Sequence, residues 1–235
     1  MSTATNLEDV LRYPRSFSLE GDLLSDCLEV GVQKQLNELL GVKKRYKNGE
    51  YIFAEGETFG SFVEVNSGAL KSVISHPSGG ESITGFYYAG DLVGWDAICS
   101  GRHTCNIVSV GNSVLTSVNY KKLKKIATQS SVLQEHLLKI ASQNSSNLLL
   151  RLQNQTAEAK MAAFLLSLSV VGSESGSVNR QFELLMPRKD IANYLGMAAE
   201  TVSRLFHAFQ EQQVLSVERK MVTFLDLDYF KNLAK

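Results

Sequence analysis

The chain has little cysteine, little histidine, no long apolar run and no net charge. Its three cysteines, Cys27, Cys99 and Cys105, are an odd set with no CxxC spacing. That argues against a disulfide framework and for a reducing compartment. No apolar stretch reaches the ~18 residues of a membrane span. The opening "MSTATNLEDVLRYPRSFSLEGD" lacks the basic start and apolar stretch of a secretory signal. A cytoplasmic protein with no membrane partner is expected. The four histidines, His76, His103, His136 and His207, are spread along the chain. A metalloenzyme on a cupin-like barrel needs histidines and carboxylates clustered as ligands. The sequence therefore argues against an enzyme and against a metal site.

Zero net charge hides an uneven distribution. Residues 1–60 carry seven Lys/Arg against ten Asp/Glu, whereas residues 120–160 carry seven against Glu135 and Glu158. A basic segment of this kind is most simply a solvated helix face. Glycine is uneven too: eleven of the 17 glycines fall between residues 45 and 120. Between them lie short β-branched and aromatic runs, "YIFA" (51–54), "FVEV" (62–65), "ALKSVI" (69–74), "SITGFYY" (82–88), "NIVSV" (106–110) and "VLTSV" (114–118). Short strands at roughly ten-residue spacing with turn signals between them predict a sandwich or jelly-roll barrel.

From Ser131 to Leu152 there is neither Pro nor Gly, and Leu133, Leu137, Ile140, Leu148 and Leu152 recur at helical spacing. A helix this long, about 30 Å, is expected to leave an apolar stripe exposed. The same helix of a second chain in a two-fold homodimer would cover it. "AEAKMAAFLLSLSVV" (157–171) predicts another helix, and "GSESGSVNRQ" a loop. Pro187 suits a first helical turn, Ile191, Ala192 and Leu195 give that helix an inward face, and Gly196 can turn the chain.

A second helix is predicted from about Ala198 to Gln212. At about 100° per residue, Val202, Leu205, Phe206 and Phe209 share one side, and Glu200, Ser203, Arg204 and His207 the other. The runs 215–217 and 221–225 then read as a hairpin. Helix, glycine turn, helix and hairpin describe a winged helix-turn-helix. Arginine can bind guanine O6 and N7 bidentately, glutamate can accept from cytosine N4, and serine suits either base edge. Glu200, Ser203 and Arg204 are therefore the candidate base readers of double-stranded DNA.

"RKDIANYLGMAAETVSRLFHAFQEQQVL", "ITGFYYAGDLVGWDAICSG" (83–101) and "AEAKMAAFLLSLS" together resemble the family of the cyclic-AMP receptor protein and the fumarate and nitrate reduction regulator. They are closest to the latter branch, from about Lys47 onward. The resemblance implies an α+β protein with three parts. These are a cyclic-nucleotide-binding-like jelly-roll β-barrel sensor with an N-terminal helical segment (1–126), a dimerisation helix (127–156) and a winged helix-turn-helix (157–235). It implies that Glu200, Ser203 and Arg204 read TTGAT-like half-sites in an inverted repeat, with Ala199 standing where the cyclic-AMP branch has arginine. It further implies phosphate contacts from Arg188 and Thr201. The Gly90–Gly101 loop, with Asp91, Trp95 and Asp96, would touch RNA polymerase, which favours an activator.

The sensor departs from both branches. A [4Fe–4S] site needs four thiolates, three near the N-terminus and one in a barrel strand. Only Cys27 lies near the N-terminus, and Thr116 stands at the strand position. The cyclic-AMP pocket needs a Gly-Glu pair and then Arg-Ser/Thr-Ala, where this chain has Gly94-Trp95 and His103-Thr104-Cys105. Trp95 cannot accept from a ribose hydroxyl. Neither an iron–sulfur cluster nor cyclic AMP is expected as cofactor, haem is not favoured, and the small-molecule effector is left open. The alternative is a ligand-binding adaptor with no specific DNA site.

Overall fold

The structure is a computed structural model that describes residues 29–151, 156–171 and 178–234, with side chains omitted over 143–151. The described residues fall into two compact units that divide at Ser145/Ser146.

The first unit opens with α1 (Val30–Leu39) and β1 (Leu40–Tyr46). It continues with β2 (Tyr51–Phe53), β3 (Ser61–Ser75), β4 (Glu81–Tyr88) and β5 (Leu92–Val93). A 3-10 turn (Trp95–Ala97), β6 (Asn106–Asn119), α2 (Tyr120–Ala127) and α3 (Ser131–Arg151) follow. The strands form one antiparallel sheet in the order β1-β6-β3-β4, with β2 on β6 and β5 on β3.

Two long strands carry this barrel where the sequence predicts four short ones. β3 joins "FVEV" to "ALKSVI", and β6 joins "NIVSV" to "VLTSV". The β3–β6 register slips between Val65 and Ala69, so each strand bends there and serves two parts of the barrel. Gly68, at φ +87, makes the bend possible. A Cβ there would lie 2.5 Å from the Asn112 carbonyl oxygen and 2.8 Å from Ser113 Cα. The glycine bends the strand rather than ending it.

Side chains fill the barrel interior: Phe53, Val63, Val65, Leu70, Val93, Cys105, Ile107 and Leu115 pack as one cluster. A second cluster closes one end, with Leu36 of α1, Phe62 and Val118 of the strands, Leu123 and Ile126 of α2 and Leu133 of α3.

The second unit is built around α4 (Ala157–Ser169), capped by the Thr156 hydroxyl, which accepts from Ala159 N–H at 3.2 Å. Met161, Ala162, Phe164, Leu165, Leu166 and Leu168 are all buried, so this helix is covered on nearly every side. β7 (Gln181–Glu183), α5 (Arg188–Leu195), α6 (Ala199–Glu211), β8 (Leu215–Glu218), β9 (Met221–Phe224) and α7 (Leu227–Leu233) follow. The strands make a sheet in the order β7-β9-β8. Phe224 and Phe230 stack at 4.8 Å and close this core. The predicted hairpin is β8–β9, and β7 adds a third strand along β9.

The boundary between the two compact units falls within α3. Leu133 is fully buried in the barrel-end cluster and Leu137 packs on that cluster, while Ile140 is also buried. Leu133 and Ile140 are therefore covered within one chain, while Leu137 stays half-buried. The exposed apolar side chains here are Val132 and Leu138, at 40% and 69% exposure. Leu148 and Leu152 lie outside the residues whose side chains are described.

Candidate nucleic-acid interface

Pro187 sits one place earlier than the sequence suggests. It has extended ψ and caps α5, its carbonyl accepting from Asp190 and Ile191 N–H at 2.9 and 3.2 Å. Ile191 and Ala192 hold the helix down. Gly196 ends it in the left-handed conformation, at φ 67 and ψ 40. Its N–H donates to Asn193 O, and Met197 N–H donates to Ala192 O. These bonds satisfy carbonyls that the last helical turn would otherwise leave open.

α6 then starts from Ala198. Val202, Phe206 and Phe209 are at most 1% exposed and Leu205 is 8% exposed, so four apolar side chains fix the helix from beneath. The opposite face carries Glu200, Arg204 and His207, all exposed, and Ser203, half-buried. Arg204 Nη2 lies 3.4 Å from Thr201 Oγ1, which draws the guanidinium towards the helix start. The three expected base readers share one open face, on the helix end that enters a major groove in proteins of this build.

Two features were not read from the sequence. The Arg188 guanidinium lies 4.6 Å from the centroid of the Phe206 ring. That cation–π contact ties the start of α5 to α6. The β8–β9 turn is the pair Arg219-Lys220, with Arg219 at φ 58, so two exposed cations stand at the wing tip. The runs 215–217 and 221–225 place a turn at 218–220; what they do not show is that Arg219 takes the left-handed conformation.

The barrel loop shows the opposite pattern. Asp91 Oδ2 accepts from Tyr88 N–H at 2.7 Å, and the Trp95 indole N–H donates to Leu92 O at 2.7 Å. Asp96 Oδ2 accepts from Thr104 N–H at 2.7 Å and from Thr104 Oγ1 at 3.2 Å, with Cys105 Sγ at 3.9 Å. Its other oxygen stands 3.6 Å from Nδ1 of His103. The imidazole is itself buried and stacks on Phe53 with centroids 4.1 Å apart. The three residues expected at a polymerase contact are thus half-buried, with polar groups bonded within the barrel unit. The part of the loop that is open is Ile98–Arg102.

The same geometry tests the fit of a cyclic nucleotide. The positions that would hold its phosphate already surround a carboxylate, and a second anion there would be repelled. Trp95, packed on Phe62 at 4.9 Å, stands where a ribose acceptor is needed. The residues present do not fit cyclic AMP. Burial and the Asp96 charge push the Cys105 thiol up to about 12.

A jelly-roll barrel joined to a winged helix-turn-helix with an open polar reading face defines a DNA-binding transcription regulator rather than an enzyme. Comparison with known proteins agrees. Residues 43–130 match the cyclic nucleotide-binding domain and residues 159–233 the Crp-like helix-turn-helix domain. The fumarate and nitrate reduction regulatory protein of Vibrio cholerae is 35% identical over 195 residues, spanning 82% of this chain and 78% of that protein. Its counterpart in Escherichia coli K12 is 34% identical over 203 residues, spanning 85% and 81%. Among solved structures, FixK2 of Bradyrhizobium japonicum has a TM-score of 0.74 at 24% identity, covering 84% of this chain and 98% of that one. A CooA mutant of Carboxydothermus hydrogenoformans has a TM-score of 0.70 at 18% identity, covering 96% and 99%; these two show the fold alone. The chain belongs to the CRP/FNR family of transcription regulators. Among the described residues no helix is long and apolar enough to cross a membrane.

Proposed function

We propose that this regulator binds a TTGAT-like inverted repeat as a homodimer, with Glu200, Ser203 and Arg204 reading bases and Arg188 and Thr201 meeting phosphates. The single observation that carries this reading is the α6 face itself. Its buried side is fully committed to Val202, Leu205, Phe206 and Phe209, which leaves the polar side for the groove. The homodimer is supported by exposed Leu138 beside an apolar groove of about 330 Å³ lined by Trp95, Gln134, Leu137, Leu138 and Ala141. The interface we propose is therefore centred on Leu138 and this groove, and Leu133 serves the barrel.

The regulator works in the cytoplasm as an activator, and its contact with RNA polymerase uses the open Ile98–Arg102 tip of the barrel loop. Its input is neither a four-cysteine cluster nor cyclic AMP. A sequence with three cysteines, and an Asp96 carboxylate bonded to Thr104 where a cyclic phosphate would sit, support that.

Gel shift on a TTGAT palindrome, a single half-site and a scrambled duplex at several salt concentrations tests the proposal. Specific binding to the palindrome that weakens steeply with salt is expected. Equal binding to the scrambled duplex would leave only an adaptor or a non-specific binder.

A further inference from the structure

We propose that His207 is a fourth base-reading residue of α6, extending the row of Glu200, Ser203 and Arg204 by one helical turn. This rests on α6 being the recognition helix. At 100° per residue with Glu200 at zero, Ser203 falls at about 300°, Arg204 at about 40° and His207 at about 340°. His207 therefore stands near the middle of the reading face, about 5 Å further along the axis than Ser203 and Arg204. Its flanking positions Phe206 and Phe209 are buried, so the backbone beneath the imidazole is fixed.

The side chain is 73% exposed, and its recorded partner is Glu211, with Nε2 to Oε1 at 3.6 Å between two exposed groups. That separation is beyond hydrogen-bonding length, so neither ring nitrogen is committed within the protein. A neutral imidazole presents one N–H donor and one bare nitrogen acceptor. In the major groove, N7 of either purine is an acceptor and N6 of adenine a donor. His207 thus carries the chemistry to discriminate a purine at the base pair next to those read by Ser203 and Arg204. Arg188, by contrast, rests its guanidinium over the Phe206 ring.

The test is an affinity panel in which each base pair of the palindrome is changed in turn, using the full-length protein and the variants His207→Ala, His207→Gln and Arg204→Ala. His207→Ala is expected to weaken binding to the best palindrome about three- to tenfold, and to flatten preference at one base pair adjacent to those flattened by Arg204→Ala. His207→Gln, whose amide also offers donor and acceptor, is expected to keep part of that preference. Thermal unfolding should be unchanged for both, since the side chain is exposed. Equal loss on every duplex would make His207 a phosphate contact and overturn the inference. So would an unchanged panel for His207→Ala beside a flattened one for Arg204→Ala. If Arg204→Ala keeps full preference, the recognition-helix assignment itself fails, and that outcome is separate from the other two.

Discussion

The recognition helix and the barrel loop carry the same kinds of side chain and use them in opposite ways. On α6, Glu200, Arg204 and His207 point outward, and their bonds within the chain are long: 3.4 Å from Arg204 to Thr201 and 3.6 Å from His207 to Glu211. In the loop, Asp91 and Asp96 are half-buried and His103 is buried, and the carboxylates accept backbone N–H bonds of 2.7 Å. A reading surface must leave its hydrogen-bonding capacity unspent until a partner supplies it. The barrel loop has spent its own. The α6 face is open, while the barrel loop is bonded within its own chain.

The glycines mark the same contrast and give the largest expected effect. Gly68 and Gly196 both have positive φ, but a Cβ on Gly68 would meet backbone atoms under 3 Å away, whereas one on Gly196 meets nothing within 4 Å. Gly68→Ala is expected to destabilise the barrel by about 3 kcal/mol or more, through overpacking added to backbone strain. Gly196→Ala should cost about 1 kcal/mol, the backbone term alone. Denaturant unfolding of the two variants checks the ranking; comparable losses would remove the close approach from the account of the bend.

Arg204→Ala is expected to cost about 1–3 kcal/mol on the specific palindrome and to relax preference at the guanine it reads, with folding unchanged. Anisotropy titrations on specific and random duplexes measure this. Asp96→Ala should do the reverse. It leaves the Thr104 amide and hydroxyl without their acceptor, so stability should fall by about 1–2 kcal/mol while sequence preference in the folded protein stays the same. A preference that shifts with Asp96 would mean that loop and reading face are coupled.

The smallest effect is chemical. Cys99 is exposed, and Cys105 is buried with its thiol pushed up to about 12. Because the thiolate is the reactive form, alkylation at pH 8 should label Cys99 in the native protein and reach Cys105 only after unfolding. Rapid native labelling of Cys105 would show that the loop opens.

The reading helix was legible because its signals are local. Val202, Leu205, Phe206 and Phe209 recur at helical spacing, Gly196 marks the turn, and the polar face follows within a dozen residues. The barrel was legible in class but not in strand count, since Gly68 and Gly111 look like strand ends until their cross-strand partners are known. The sequence also could not show that Asp96 is bound by Thr104 eight residues later, or that Leu133 is spent on the barrel end. A helical apolar stripe looks the same whether its own chain or a second chain covers it. The turn at Arg219 followed from its flanking runs, but its left-handed backbone did not, because a non-glycine residue there gives no compositional signal.

The central claim is that specificity resides on an open α6 face and does not wait on a nucleotide in the barrel. The most direct measurement is operator affinity of the purified protein and its Arg204→Ala variant, on a TTGAT palindrome and a scrambled duplex, with and without cyclic AMP. The account predicts a strong preference for the palindrome, loss of most of it in Arg204→Ala, and no response to the nucleotide. Specific binding that arises only when cyclic AMP is added, or that survives the loss of Arg204 intact, would contradict it.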